Sequence, residues 1–353
     1  MQTFASSLDP AIHPMHKALV LVEALGPSGA SAEDALAGTG LHPADLQNPA
    51  ARMSVRQLLT VCRNCQALAT DPLFALRAGR RVHATHLGFF GFALLSAATS
   101  REGLECLHRY RPLSTPVVGV ALDIDDGQGR CGLTYFDSLE MGDALFRFVL
   151  DFQMGVALTM LEDTLGDGFS LDLVRVAYPE GDDTGEREGL LGAPIVFGAD
   201  RNQLLWDGAW LDRPQRYANA LTSKVVREIC DQQLATAILA SGTAGAVARI
   251  LEEQPGRFPG LEEIAGRMHV TSRTLRRKLQ AEGTSYAEIL ASVRRQQAIR
   301  FLRTTPMKTE EIAEALGFSD VANFRHAFRR WTGRSPSDYR VRRRGRREAS
   351  GAC

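Results

Sequence analysis

No apolar run in this sequence stands out as a membrane-crossing helix. The most continuous, Leu87 to Ala98, is about a dozen residues long and is broken by Gly88, Gly91 and Ser96, whereas a span needs roughly 20. The first residues lack a basic start followed by an apolar stretch, so no signal peptide and a cytoplasmic location are expected. The six cysteines (Cys62, Cys65, Cys106, Cys131, Cys230, Cys353) are scattered, as in a reducing cytosol. There is no Gly-rich phosphate loop, no nucleophile elbow and no zinc-hydrolase motif. Cys62-x-x-Cys65 has no second pair beside it, and the pairs His13/His16 and His83/His86 have no clustered carboxylate or cysteine. Neither a metal, nor a cofactor, nor an enzyme is expected from these residues.

Net charge is absent as well, with 41 Lys and Arg against 41 Asp and Glu. The balance hides a split. Residues 243–353 carry 22 basic and 12 acidic groups, a net of +10, which leaves −10 on residues 1–242. A basic module joined to an acidic one suits a nucleic-acid-binding part attached to a part that avoids nucleic acid. The 353 residues, 44% hydrophobic, suffice for two domains with separate cores.

What the sequence does contain is a near-repeat. Glu262-Glu263-Ile264-Ala265 recurs as Glu310-Glu311-Ile312-Ala313, 48 residues later. In the first copy Leu261, Ile264, Ala265 and Met268 form one apolar helical face. A turn follows at His269-Val270-Thr271, with Thr271 as the expected N-cap. A basic helix then runs from Ser272 to about Glu282, with Leu275 and Leu279 inward, Arg273, Arg276, Arg277 and Lys278 around the rest, and Gly283 as its stop. In the second copy Ile312, Ala313 and Leu316 precede Gly317-Phe318-Ser319, where Ser319 takes the N-cap place. Phe324 and Phe328 stand for the two leucines at an offset of 49, Arg325, Arg329 and Arg330 are the basic groups, and Gly333 and Pro336 end the unit. Between the copies a helix over 285–303 offers Tyr286, Ile289, Leu290, Val293, Ala298, Phe301 and Leu302 to both. At 1.5 Å per residue it is ~28 Å long, a stiff spacer commensurate with the about 34 Å between successive major-groove faces.

These residues resemble the AraC/XylS family of bacterial transcription regulators. The likeness covers roughly 244–340. It rests on Leu261-x-x-Ile264-Ala265, Ser272-Arg273-x-Leu275-x-Arg277-x-Leu279 and Gly283 in the first unit, and on Arg294-x-x-x-Ala298-x-x-x-Leu302 in the spacer. The second unit adds Ile312-Ala313-x-x-x-Gly317-Phe318, Phe324-x-x-x-Phe328 and Gly333-x-x-Pro336-x-x-Tyr339-Arg340. The resemblance implies two recognition helices on double-stranded DNA. Base readout would come from Arg273, Arg276, Arg277, Asn323, Arg325 and His326, with Lys278, Arg329 and Arg330 on phosphate. Position 322 is Ala, where some members place a longer polar reader. The tail holds six Arg between Arg340 and Arg347, and residues 343–353 read as a basic disordered segment that raises non-specific affinity, with an arm that tracks phosphates as the alternative.

Residues 1 to about 112 read as helices, notably from Val55 onward and over Leu87–Leu95. Strands are expected at Pro116–Asp125 and Cys131–Asp137 around Asp126-Gly127-Gln128-Gly129. A helix over Asp143–Leu165 comes next, then an alternating run at Phe169–Tyr178, a mobile loop over Glu180–Gly189 and a second hairpin, Ile195–Phe197 with Gln203–Trp206. Phe89, Phe90 and Phe92 are expected in helix core, with a ligand-cavity wall as the alternative, and Gly88 and Gly91 allow close packing. This part is similar to the sensor domain, named after arabinose, of one branch of the same family. The match rests on His86-Leu87-Gly88-x-x-Gly91-x-Ala93-Leu94-x-Ser96, Arg109-Tyr110-x-x-Leu113, Val196-Phe197-Gly198-Ala199 and Trp210-Leu211-Asp212-Arg213-Pro214. No ligand residue transfers from it.

The expected fold is an α+β sensor domain (1–215) followed by an all-α tandem helix-turn-helix DNA-binding domain. The DNA-binding part spans 244–342, with units at 261–282 and 309–332. A linker helix within 216–243, apolar at Leu221, Val225, Ile229 and Ile238, pairs with a second copy or packs on its own sensor. The family implies a ligand-responsive activator, a homodimer, an unidentified small-molecule effector and contact with RNA polymerase. The alternatives are a sensor that only dimerises, and an alkyl-accepting DNA-repair enzyme for which Cys62 and Cys65 would have to supply the zinc-held thiol.

Overall fold

The computed structural model describes residues 10–340, apart from 27–28, 115, 124–128, 241, 254–255 and 283. The basic tail, Gly283 and the tip of the first hairpin lie outside the described residues.

The N-terminal part opens with helices α1 (His16–Leu25), α2 (Ala32–Leu36), α3 (Pro43–Leu46), α4 (Val55–Leu68), α5 (Phe74–Arg80), α6 (Phe89–Leu95) and α7 (Ser100–Tyr110). A two-residue strand, β1 (His13–Pro14), pairs antiparallel with β2 (Arg52–Met53). α4 starts where Ser54 and Gln57 form a reciprocal capping box, which satisfies two otherwise free backbone donors. The sheet follows, with β3 (Gly119–Asp123), β4 (Arg130–Phe136), β5 (Leu173–Arg175), β6 (Ile195–Val196) and β7 (Asn202–Asp207). Their spatial order is β3-β4-β7-β5-β6, antiparallel throughout except for β5 with β6. Between β4 and β5 runs α8 (Asp143–Leu165), and between β5 and β6 runs α9 (Thr184–Leu191). This is the α+β architecture expected.

Several local expectations are corrected. Ile195–Phe197 and Gln203–Trp206 do not form a hairpin. β6 pairs in parallel with β5, and β7 inserts between β5 and β4, so the short connection joins strands that are not neighbours. The acidic stretch expected as a loop holds α9. Its Arg187 is 1% exposed and pairs with Asp151 at 2.8 Å and Asp183 at 2.9 Å. The Tyr178 hydroxyl donates to Asp151 Oδ1 at 2.8 Å. Burial pushes the Asp151 carboxyl up and Arg187 pulls it back. α8 is long and apolar enough to cross a membrane by length and composition, yet it is mostly buried. It is the central helix of the N-terminal core, apolar on every side because it is covered on every side.

Phe90 is buried, but Phe89 and Phe92 stand 44% and 46% exposed, against the expectation of core. Gly91 does allow close packing, since a Cβ there would sit 1.7 Å from the Ala84 carbonyl oxygen. Gly88 instead serves a backbone turn at φ +58, with open space around it. The thiols of Cys62 and Cys65 are buried, and burial pushes both up, Cys65 to about 12.

The remaining chain is helical: α10 (Ala220–Ala240), α11 (Gly242–Glu252), α12 (Leu261–Arg267), α13 (Ser272–Ala281), α14 (Tyr286–Thr304), α15 (Thr309–Ala315), α16 (Val321–Thr332) and α17 (Pro336–Tyr339). α10 packs on its own sensor through Val226, Cys230 and Leu234, against Phe90, Leu94 and Tyr110. The buried stripe is thus one residue out of phase with the expected one. Leu221 and Val225 face solvent, and the side chain of Ile238 lies outside the described residues. Pro336 does more than stop α16. It starts α17 at the position where a proline's missing N–H costs nothing.

Candidate nucleic-acid interface

Two similar units are built around α14. The first places α12 and α13 on the N-terminal half of α14, with Ile264, Leu275, Leu279, Ile289 and Val293 in one core that Val247 and Leu251 of α11 complete. The second places α15 and α16 on the C-terminal half, with Ala298, Leu302, Ile312, Phe324 and Phe328 in another.

The tight turn of each unit has the same construction. The chain passes through a left-handed residue, His269 at φ +53 or Gly317 at φ +68. The next N–H then returns to an alanine carbonyl, Val270 to Ala265 and Phe318 to Ala313, both at 2.9 Å. Up to here the offset is 48. Thr271 Oγ1 then accepts from Thr274 N at 3.2 Å and caps α13. The cap of α16 is Asp320, not Ser319 as expected, and its Oδ1 accepts from Asn323 N at 2.7 Å. Ser319 is the single inserted residue that moves the register to 49. A carboxylate is the stronger acceptor at a helix N-terminus, because it meets the dipole as well as the N–H. Gly333 closes α16 in the left-handed conformation at φ +71.

The inward positions of α13 and α16 are fully buried, and the polar ones face out. Arg273, Arg276, Arg277 and Lys278 on α13 are exposed, as are Asn323, Arg325, His326, Arg329 and Arg330 on α16. None is covered by the acidic part of the chain. Two hold local partners: Arg325 Nη2 is 3.1 Å from Glu310 Oε1, and Asn323 Nδ2 donates to Asp320 Oδ2 at 2.5 Å. Exposed pairs of this kind are worth ~0–1 kcal/mol, so exchanging them for another acceptor costs little. A guanidinium presents a fixed fork that fits guanine O6 and N7, and a carboxamide fits adenine N6 and N7.

Arg294 holds the two units together, a role that its place in a motif did not disclose. Its guanidinium lies 4.9 Å from the ring centres of both Phe258, before α12, and Phe318, in the second turn. Its Nη2 donates to the Gly317 carbonyl at 3.1 Å. Glu282, at the end of α13, accepts from the backbone N–H groups of Thr243 and Ala244 at 2.7 Å each and so fixes the start of α11. Burial raises that carboxyl, but the two N–H groups outweigh it and leave it below its usual range.

The second unit also touches the sheet. Ala121 of β3 and Phe136 of β4 join its core. Just beyond β4, Glu140 Oε2 lies 2.6 Å from Arg295 Nη2, and Glu140 Oε1 accepts from the Tyr339 hydroxyl at 2.8 Å. Glu140 itself sits at φ +57, a strained region for a residue with a Cβ.

Residues 29–215 match the family model described as the arabinose-binding domain of the AraC transcription regulator, N-terminal, and residues 264–342 match a helix-turn-helix domain. The chain belongs to the AraC family of transcription regulators. This AraC-family chain is 31% identical over 327 residues to the ornithine utilization regulator of Pseudomonas aeruginosa, covering 93% of this chain and 96% of that one. It is 26% identical over 270 residues to the regulator VqsM of the same organism, covering 75% and 82%. Among solved structures, the P. aeruginosa transcriptional regulator CdpR is similar, at 25% identity and a TM-score of 0.45, covering 90% of this chain and 96% of that one. Like its family, the protein is a DNA-binding transcription regulator.

Proposed function

We propose that this AraC-family protein is a ligand-responsive activator that reads two adjacent major grooves on one face of DNA. Arg273, Arg276, Arg277, Asn323, Arg325 and His326 read bases, and Lys278, Arg329 and Arg330 hold phosphate. The observation that carries the reading is the common presentation of these nine side chains. They stand exposed on two helices whose opposite faces are locked into separate cores along α14. A flexible connection would leave the second helix free to miss its groove.

The coupling of ligand to DNA runs through the sheet. On β4, Tyr135 belongs to the sensor core and its neighbour Phe136 to the core of the second DNA-binding unit. A ligand that changes the lie of this strand changes the contact with α14, and an equilibrium between two arrangements shifts by the difference in its affinity for them. The protein works as a cytoplasmic homodimer that contacts RNA polymerase. Dimerisation is supported by Phe89, Phe92, Leu221 and Val225, all exposed on the packed pair α6 and α10.

Footprinting of the full-length protein at moderate salt tests the reading. One operator sequence is protected over two successive major grooves. Arg276→Ala loses ~1–3 kcal/mol at one base position. Equal weakening on every sequence would make Arg276 a phosphate contact, and no sequence preference at all would overturn the reading.

A further inference from the structure

A cavity of about 120 Å³ lies in the N-terminal part between α1, α6, α7, α8 and the inner face of β3 and β4. Leu, Val, Phe, Met, Ala and Pro side chains make up most of its wall. Four groups on it are polar in a particular way. Lys17 is 4% exposed and Arg111 stands at the same wall, its Nη2 donating to the Val118 carbonyl at 2.8 Å. Among the described residues the buried Tyr135 hydroxyl finds no hydrogen-bond partner, nor does Oε1 of Gln215. Among the described residues no Asp or Glu lines the cavity.

Lys17 and Arg111 repel each other at one apolar space and burial adds to the cost, while Glu252 of α11 offsets part of the charge of Arg111. Lys17 is pushed down to about 7, first by burial and then by Arg111. An anion in the cavity relieves both effects, and an unpartnered tyrosine hydroxyl supplies it a donor. An ammonium would find no carboxylate there, and a fully polar anion would leave the apolar wall unused. The volume limits the body of the ligand. A cavity of roughly 150 Å³ holds a benzene ring, and this one is of that order, enough for a ring or a short chain.

We infer that the cavity binds a small monocarboxylate with an apolar body of about benzene size, its carboxylate on Lys17, Arg111 and the Tyr135 hydroxyl. This rests on the ligand-responsive reading above and names the chemistry of its effector. It also assigns a role to Tyr135, near the end of β4, whose next residue meets the DNA-binding part.

Calorimetric titration of the full-length protein with benzoate and hexanoate tests it and separates ring from chain. At least one of them binds. Benzyl alcohol, of the same shape without the charge, binds at least 10-fold more weakly, and benzylamine and ornithine do not bind. Lys17→Met weakens the carboxylate at least 10-fold and Tyr135→Phe several-fold, while both variants keep the circular dichroism of the wild type. Binding of benzylamine or ornithine as tight as that of the carboxylate would overturn the inference, and so would undiminished carboxylate binding by Lys17→Met. No binding of either carboxylate with sequence-specific footprinting intact overturns this inference alone. Carboxylate binding that leaves operator affinity and transcription unchanged overturns the ligand-responsive reading alone.

Discussion

Lys17 is a stability liability that substitution should expose. Its side chain sits in the core with Arg111 beside it, and its pKa falls from the ordinary 10.5 to about 7. At ~1.4 kcal/mol per pH unit, keeping this ammonium charged costs the folded chain ~4–5 kcal/mol at pH 6. Methionine has nearly the same length and shape and no charge. It forfeits the hydrogen bonding of the ammonium, worth ~1–2 kcal/mol, so Lys17→Met should gain ~2–3 kcal/mol at pH 6. For a domain of this size that raises the midpoint of the sensor transition by roughly 5–10 °C. The gain depends on pH with a definite sign. Between 7 and 10.5 the unfolded chain binds the proton and the folded chain does not, so wild-type stability climbs as pH rises through that window. The penalty is fully present below about 7 and is nearly gone by pH 10, where the variant loses its advantage. Differential scanning calorimetry of both proteins at pH 6, 8 and 10 measures this, with the sensor and DNA-binding transitions resolved separately. A variant that melts lower than wild type at pH 6, or a difference independent of pH, would refute the reasoning.

Arg294→Ala removes two cation–π contacts and the bond to the Gly317 carbonyl, and should destabilise the DNA-binding transition by ~2–3 kcal/mol while leaving the sensor transition in place. Urea melts followed by far-ultraviolet circular dichroism show whether only one transition moves. Gly317→Ala puts a Cβ on a left-handed residue and 3.2 Å from the end of Arg294, for a loss of ~1–2 kcal/mol. The same melts should show a lower midpoint for the DNA-binding transition, and an unchanged midpoint would contradict the turn geometry. Arg187→Met strands Asp151 in the core and should cost the sensor ~3–5 kcal/mol. Adding Asp151→Asn should recover part of that loss, and a double variant no better than the single one would mean that the pair is not the source.

The DNA-binding part was legible because its signal is dense and doubled. Apolar residues at helical spacing, a left-handed turn residue and an Arg-bearing helix occur twice, so each unit checks the other. The cap of α16 was misplaced. Ser319 and Asp320 are adjacent and both able to cap, and the extra residue in the second turn decides between them. The sensor was legible in class and less so in detail. Pairing of β7 between β4 and β5 is a long-range event, while sequence shows only that two strands lie close along the chain. α9 looked like a loop because Gly and acidic residues dominate it, and what makes it a helix is one arginine buried against a partner 36 positions away. Lys17 gave no signal at all, since a lysine on an amphipathic helix ordinarily lies at the surface. Its neighbours at the cavity come from five separate elements.

Phe136 and Tyr135 share a peptide bond but belong to different halves of the molecule. A substitution that enlarges the chamber on one side has to be absorbed by the packing on the other. On the proposed ligand-responsive reading, retuning the ligand is therefore not independent of how the DNA-binding part responds, and lineages that change the ligand should carry compensating changes along α14.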